Sequence, residues 1–508
     1  MALILALGAG SGLPTYTAAK DADGDHDAVV WIKPFESENS VLCNAMATTA
    51  KGFAAIGEFV GEIDFGSKVR VKGFGGKDGY VAVFDSDGKP RWARAIGGIR
   101  DDRLRAIATD ADGNVYVSGY IIGPDSTPTE PATSLPATAG GADAVLVKLS
   151  PAGQRLWTRR IASEYADVGT ALAVAADGSV FWGGQFEKNA SMVGFPELGT
   201  LLNTGSSDAF VAAFDRDGKP RWLKSFGGKQ SDELWSLAAD AEGGVFVAGA
   251  YEGILPIRHP RSLDLLRAKG GRDAFLMHLR DKGEIDWAHS LSGKQNEYPV
   301  TVLSDGEQLF LTGNFQDKLQ LDAQTTLSSH GVFDGFISAW SLGGQLKWAK
   351  GFGGASAETV QGFTYGQSGR MTLVGSFLGP FDFGPDTRKL DTKQLRPFVA
   401  SIDNQGHWLQ EFALPSTEPA DILGITAGPG EDVYACGVAK GDIVEGLRSG
   451  RDNEEAEEER EKAERARESA KEEHEHESGK GEHGKKNSHA EEEENEKSGA
   501  FIARLRTH

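Results

Sequence analysis

Six acids stand at one fixed offset in this chain: Asp102, Asp167, Asp232, Glu297, Glu358 and Glu418 each follow a tryptophan by ten residues. A seventh, Glu38, follows Trp31 by seven. Acids make up 74 of 508 residues, so six coincidences at one offset lie far outside chance and the position is constrained. Carboxylates repeated around a closed structure can form an anionic ring that holds a divalent cation or a cationic ligand. They can also accept backbone N–H groups within their own loops and join neighbouring units. Both readings stand at this level, and a divalent cation is the one cofactor that the pattern admits.

The tryptophans that mark the offset are Trp31, Trp92, Trp157, Trp222, Trp287, Trp348 and Trp408, with gaps of 61, 65, 65, 65, 61 and 60 residues. A glycine keeps the same beat at Gly57, Gly119, Gly184, Gly249, Gly313, Gly375 and Gly437. Between these markers each unit reads as four short strands. "LWSLAAD" and "GVFVAGA" are joined by "DAEG", and "DAFLMHLR" and "IDWAHSL" are joined by "DKG". Alternation of period two, β-branched and aromatic residues, and Asp/Gly turns support strands throughout. A repeat of this length, built of four antiparallel strands, is a propeller blade. The expected fold is all-β, with seven four-stranded blades.

The seventh unit is divided between the two ends of the chain. Its first two strands, "DILGITAG" and "DVYACGVA", run into a charged tract, and the third is "GAFIARLR" from Gly499 to Arg506. The fourth is "AVVWIKPF" around Trp31, so the termini pair and shut the ring without an open edge. Residues 28–508 therefore form one propeller, and 445–498 is a charged insertion in its last blade. Residues 1–27 are a leader. Its "MALILALGAG" has the apolar character of a secretion signal without the basic residues that normally precede one.

The pattern "DAFVAAFDRDGKPRW…FGG…D…LAAD" resembles the SBBP repeat, a seven-bladed family of bacterial, mostly secreted or surface-associated proteins. There is a looser likeness to NHL and PQQ-type propellers through "DGKPRW". The resemblance implies a fold and a secreted, periplasmic or cell-surface location, and it assigns no reaction.

Between strands two and three, and between four and one, the loops share one face. The residue after each beat glycine lies there and does not repeat: Glu58, Tyr120, Gln185, Ala250, Asn314, Ser376 and Val438. Variation inside a repeat suits a shaped binding pocket, and it equally suits neutral drift. The tryptophans fit repeated packing between blades better than a cofactor. No G-x-S-x-G, paired-His metal motif or phosphate loop appears, and no catalytic residue is assigned. Cys43 and Cys436 read as two buried thiols.

The net charge of −21 argues against nucleic acid or an anionic membrane as partner. From Arg451 to Ser498 there are 19 acidic and 10 basic residues, so the insertion supplies −9 of it. His474, His476, His483 and His489 in that tract are weak candidates for a metal, set against a solvated loop. The resulting expectation is a monomeric binding or scaffolding module that recognises a polysaccharide, a peptide or a protein. The alternatives are a propeller enzyme (a lyase, a hydrolase or a PQQ-like quinoprotein) and a purely structural display protein.

Overall fold

The computed structural model describes residues 28–507, apart from 124–139, 441–497 and the single loop positions 36, 38, 260, 367, 385–386, 388, 415 and 417–418. Seven four-stranded antiparallel blades account for nearly all of it. The described residues hold one helical turn, Pro196–Leu198. None of their helices is long and apolar enough to cross a membrane.

In blades 1 to 6 the strands lie in chain order from the inside outward, as in blade 4: Asp232–Ala239, Val245–Arg258, Leu263–Leu279 and Ile285–Leu291. The first strands of the seven blades are Ser40–Thr49, Arg103–Thr109, Asp167–Val174, Asp232–Ala239, Glu297–Ser304, Thr359–Tyr365 and Ala420–Ala427. Each contacts the first strand of the next blade all round the ring, so these seven strands wall a central channel. The second and third strands are almost wholly buried because both faces of each blade press on a neighbour.

Blade 7 closes the ring. Its order is Ala420–Ala427, Val433–Lys440, Ser498–Leu505 and then Val29–Phe35 from the other end of the chain. Val433 and Val29 flank Leu505 on its two sides, and Phe35 faces Ala500. Phe501, Ile502, Ala503 and Leu505 are fully buried, so the last strand of the chain is core rather than tail. The segment 445–498 enters this blade between its second and third strands, and almost all of it lies outside the described residues, with the four histidines above. The leader 1–27 lies outside them as well.

Successive blades are fastened at their outer ends by the module tryptophans. The indole N–H of Trp92 donates to Pro151 O in the next blade's outer turn at 2.9 Å, and Trp222 donates to Asp281 O at 2.8 Å. Trp287 and Trp348 do the same with Leu342 O and Asn404 O, both at 3.1 Å. The glycine of that turn lies flat on the ring. Gly218 has φ +79°, and a Cβ there would stand 2.6 Å from Trp157. The "DGKPRW" signature is thus two halves of one contact, the turn glycine of one blade and the indole of the blade before it.

Candidate functional site

Asp102, Asp167, Asp232, Glu297 and Glu358 are all buried where a fourth strand passes into the next blade's first strand. Each accepts the N–H of the residue four positions earlier. Ser163 N reaches Asp167 Oδ2 at 2.6 Å, Gly228 N reaches Asp232 Oδ2 at 2.7 Å, and Gly293 N reaches Glu297 Oε2 at 2.9 Å. Gly354 N reaches Glu358 Oε2 at 2.8 Å, and Gly98 N donates to Asp102 in the same way. The acid's own N–H bonds back to the previous blade: Asp102 N to Lys77 O at 2.7 Å, Asp232 N to Ser207 O and Glu358 N to Phe333 O at 2.9 Å. The five described acids are therefore sealed in the junctions between blades, away from the channel water.

Register breaks the sevenfold pattern. In blades 3 to 5 the ring acid pairs two residues beyond the beat glycine, Asp167 with Phe186, Asp232 with Tyr251 and Glu297 with Phe315. In blades 1 and 7 that place belongs to Val41, paired with Phe59, and Ala420, paired with Ala439. Glu38 and Glu418 lie three and two residues earlier and fall outside the described residues.

A second set of acids, unnoticed in the sequence, completes the junctions. Asp78, Asp208 and Asp334 open the third strands of blades 1, 3 and 5, Asp143 is second in that of blade 2, Asp273 holds the equivalent place inside Leu263–Leu279, and all are buried. Four of them use the same clasp, with N–H bonds from Phe74, Thr204, Lys269 and His330 at 2.7–3.0 Å. Each faces a ring acid of the following blade. A Cβ at Gly97 would lie 2.3 Å from Asp78 Oδ1 and 2.8 Å from Asp102 Oδ2, so the first glycine of "AIGG" fits because two carboxyl groups flank it. Burial raises Asp78, Asp143, Asp208 and Asp273, and burial with the facing acid raises Asp167, Asp232, Glu297 and Glu358. Asp167, Asp232 and Glu297 are pushed up to about 8 and Glu358 to about 7. Asp143 and Asp273 rise to about 6. Arg160, also buried, lies 3.5 Å from Asp143 and moderates it.

The non-repeating positions divide. Glu58 is buried against Arg103 of the next blade, 3.0 Å from its Nε, and lies 3.5 Å from Lys77 Nζ. Asn314 holds the backbone of Val360 in blade 6 by two hydrogen bonds, at 3.0 and 2.8 Å. Ser376 donates to Asp421 of blade 7. These three fasten blades together. Tyr120 and Gln185 stay half-buried, with burial raising the Tyr120 hydroxyl.

What the channel offers to solvent is a different ring. Every first strand carries a β-bulge at the same place. The bulged residues are Asn44, Arg105, Thr170, Trp235, Val300, Gln361 and Leu423, none of them buried. A bulge inserts one unpaired residue and re-aims its side chain. Asn44 Nδ2 caps Leu104 O of the next blade at 3.3 Å, and Thr170 similarly donates to Leu234 O.

Trp235 is 40% exposed, with its Nε1 3.2 Å from Glu233 Oε2. Its ring lies 6.0 Å from that of Tyr298 at a 49° tilt. Arg272 lies 5.9 Å over the Tyr298 ring and pairs with Glu233 at 3.0 Å and Glu252 at 3.1 Å. Blade 2 contributes Arg103 and Arg105 instead. The mouth thus joins an aromatic shelf and acids on blades 4 and 5 with arginines on blade 2, a surface suited to binding by stacking and multiple hydrogen bonds. Among the described residues no three His, Cys, Asp or Glu side chains are grouped to hold a metal. The bulged residues stand three positions after each ring acid in blades 2 to 6, an offset readable in the sequence once the acids are aligned.

No protein-family model matches the chain. It is 30% identical over 214 residues to the regulatory protein FlaEY of Caulobacter vibrioides, an alignment covering 41% of this chain and 22% of that protein. It is 25% identical over 155 residues to an uncharacterized WD repeat-containing protein, L264, of Acanthamoeba polyphaga mimivirus, covering 28% and 11%. The chain therefore spans about a fifth or less of the length of these relatives. Among solved structures it is similar to a Bacteroides caccae protein of unknown function, with 10% identity, TM-score 0.33, and 66% and 89% of the two chains covered. It is also similar to the gluconolactonase XC5397 of Xanthomonas campestris, with 15% identity, TM-score 0.32, and 72% and 95% covered. Strand order and register, rather than these likenesses, identify the chain as a seven-bladed β-propeller closed by its own termini.

Proposed function

We propose that this chain is a non-catalytic binding propeller of the SBBP type, working at the bacterial envelope or outside the cell, that takes a polysaccharide, peptide or protein segment at the channel mouth. One observation carries the reading. The junctions repeat the same carboxyl clasp from blade to blade, whereas the seven bulges around the channel carry seven different residue types. Repeated residues serve the scaffold, and a one-sided set of arginine, tryptophan, tyrosine and amides serves an asymmetric ligand.

Thermal-shift measurements on purified protein against saccharides, cell-wall fragments and peptides test it. A ligand of the mouth raises the melting temperature in proportion to the logarithm of its concentration. Trp235→Ala and Arg105→Ala should each weaken that response at least about tenfold while leaving the ligand-free midpoint within about 2 °C, since both side chains are exposed. A ligand whose effect ignores both substitutions binds elsewhere and overturns the assignment of the mouth.

A further inference from the structure

Blade 4 carries a feature separate from the channel. Its second and third strands run past the blade as a long hairpin, Val245–Arg258 with Leu263–Leu279. A bulge after Glu252 and the positive φ of Gly253 turn this extension back along the outside of the propeller. Ile254 O passes 2.0 Å from where a Cβ of Gly228 in blade 3 would stand. Leu255 and Ile257 are fully buried in one cluster with Trp222 and Phe226 of blade 3. At the tip, His259 Nδ1 lies 3.1 Å from Ile285 O and its Nε2 lies 3.1 Å from Asp264. The extension is a fixed platform with a buried inner face.

Its outer face is apolar and basic. The register places Ile254 opposite Arg267, Pro256 opposite Leu265, and Arg258 opposite Leu263, and opposed residues share a face. Leu263 is 53% exposed, Leu265 43% and Ile254 41%, and Arg258 and Arg267 are exposed beside them. The arm beginning at Leu263 is also an open edge: the blade's fourth strand pairs only with Ala274–Leu279, and among the described strands nothing pairs with the outer side of Leu263–Arg267. Arg261, past the tip, lines a polar cavity of about 550 Å³ with Arg280 and Asp264.

We infer that this edge is a docking strand for an extended segment of a partner protein that presents apolar and acidic residues together on one face, at every second position, adding to blade 4 as a fifth strand. Such pairing takes affinity from main-chain hydrogen bonds and specificity from alternate side chains. The chemistry of the occupant follows from charge. In a chain of net −21, positions 254–269 hold Arg258, Arg261, Arg267 and Lys269 against one acid, Asp264. Basic residues on an edge repel the same edge of a second copy and leave an acidic strand admissible. Opposite Leu263 and Leu265 the incoming strand then presents apolar residues, and opposite Arg267, two positions on and on the same face, it presents an acid.

The test is fluorescence anisotropy on the full chain with three labelled nine-residue peptides: one with Leu and Glu taking turns at the odd positions and Thr between them, its Leu/Lys counterpart, and the Leu/Glu peptide N-methylated at alternate amides to block one edge. The expected result is saturable binding of the first alone, weakened at least about tenfold by the double substitution Arg258→Glu and Arg267→Glu. Both arginines are exposed, so that variant keeps the parental melting temperature, and binding at the channel mouth is unaffected. Equal binding of the N-methylated or lysine peptide overturns the inference, as does indifference to the charge reversal or no binding at 1 mM. Preference for anionic phospholipid vesicles over the Leu/Glu peptide also overturns it, since it would make the face a membrane contact.

Discussion

The carboxyl groups of Asp273 in blade 4 and Glu297 in blade 5 face one another across the junction, where burial raises both and the Asp273 charge raises Glu297 further. Burial lifts Glu297 to about 8, and Asp167 and Asp232 stand equally high in their junctions. The unfolded chain gives these protons up near pH 4. Stability from this source is thus fully present below about pH 4 and is lost as pH rises through 7 and 8. Asp110, despite its burial, is held low by hydrogen bonds from Asn114 and Tyr116, and such groups withdraw stability in strong acid. Denaturant midpoints should therefore be highest near pH 4 and fall steadily to about pH 8, each raised group contributing about 1.4 kcal/mol per pH unit across its window. A midpoint that is flat or rising over that range would show the junction acids to be ionised.

Replacing Glu297 by Gln separates the proton from the clasp. The amide keeps an oxygen for Gly293 N and removes the carboxyl group that burial and Asp273 push up to about 8. At pH 8.5 the variant should equal or exceed the parent in stability, and at pH 5 it should fall below or match it. Urea titrations at the two pH values read this directly.

Gly218 tests the fastening of outer turn to indole. Alanine there would strain a backbone at φ +79° and push a Cβ within 2.6 Å of Trp157. The left-handed conformation alone costs about 1–3 kcal/mol, with repacking of the indole added. Gly194 offers the control: it has φ +85° with open space around its missing Cβ, so alanine there meets the backbone term alone. Equal losses at the two sites would mean that the indole yields freely.

Blade number and ring closure were legible in the sequence because each repeated residue answers to one repeated contact. The Trp31-to-Trp408 beat and the short fourth strand at the N-terminus needed only counting. The site was less legible, for two physical reasons. Period-two alternation assumes unbroken pairing, and the bulges at Arg105 and Trp235 insert one residue that such counting absorbs silently. A fixed offset from tryptophan also assumes loops of equal length. The loop before blade 7 is two residues longer, which sets Glu418 out of register and puts Ala420 in its place; before blade 1 the offset holds, but the tenth residue after Trp31 is Val41 rather than an acid. The partner acids, Asp78 to Asp334, were visible as the first letter of "DAFVAAF" and its kin, but nothing short of three dimensions brings them against the next blade.

Removal of residues 498–508 should abolish folding of the whole ring rather than shorten it. The deletion takes away Phe501, Ile502 and Leu505, each fully buried, at about 1.5–3 kcal/mol apiece. It also leaves Val29–Phe35 and Val433–Lys440 as open edges. That loss is comparable with the entire stability of an ordinary domain. Supplying the missing segment as a synthetic peptide should restore a cooperative melt, and a truncated chain that melts cooperatively unaided would mean that six blades suffice.

Cys43 and Cys436 report on the same closure from inside. They are 393 residues apart, yet they lie in one buried cluster with Tyr80, where the first strand of blade 1 meets the second strand of blade 7. Burial, and then contact with Cys43, lift the Cys436 thiol well above its ordinary value. A buried protonated thiol is a poor nucleophile, so neither should react with an aromatic disulfide reagent at pH 8 until the junction opens. Both should titrate in denaturant. In native buffer the reaction should run at least about a thousandfold slower than in the unfolded chain, the ratio that an opening equilibrium of about 4 kcal/mol produces. Fast native labelling of Cys436 alone would place a gap at the seam where the two ends of the chain meet.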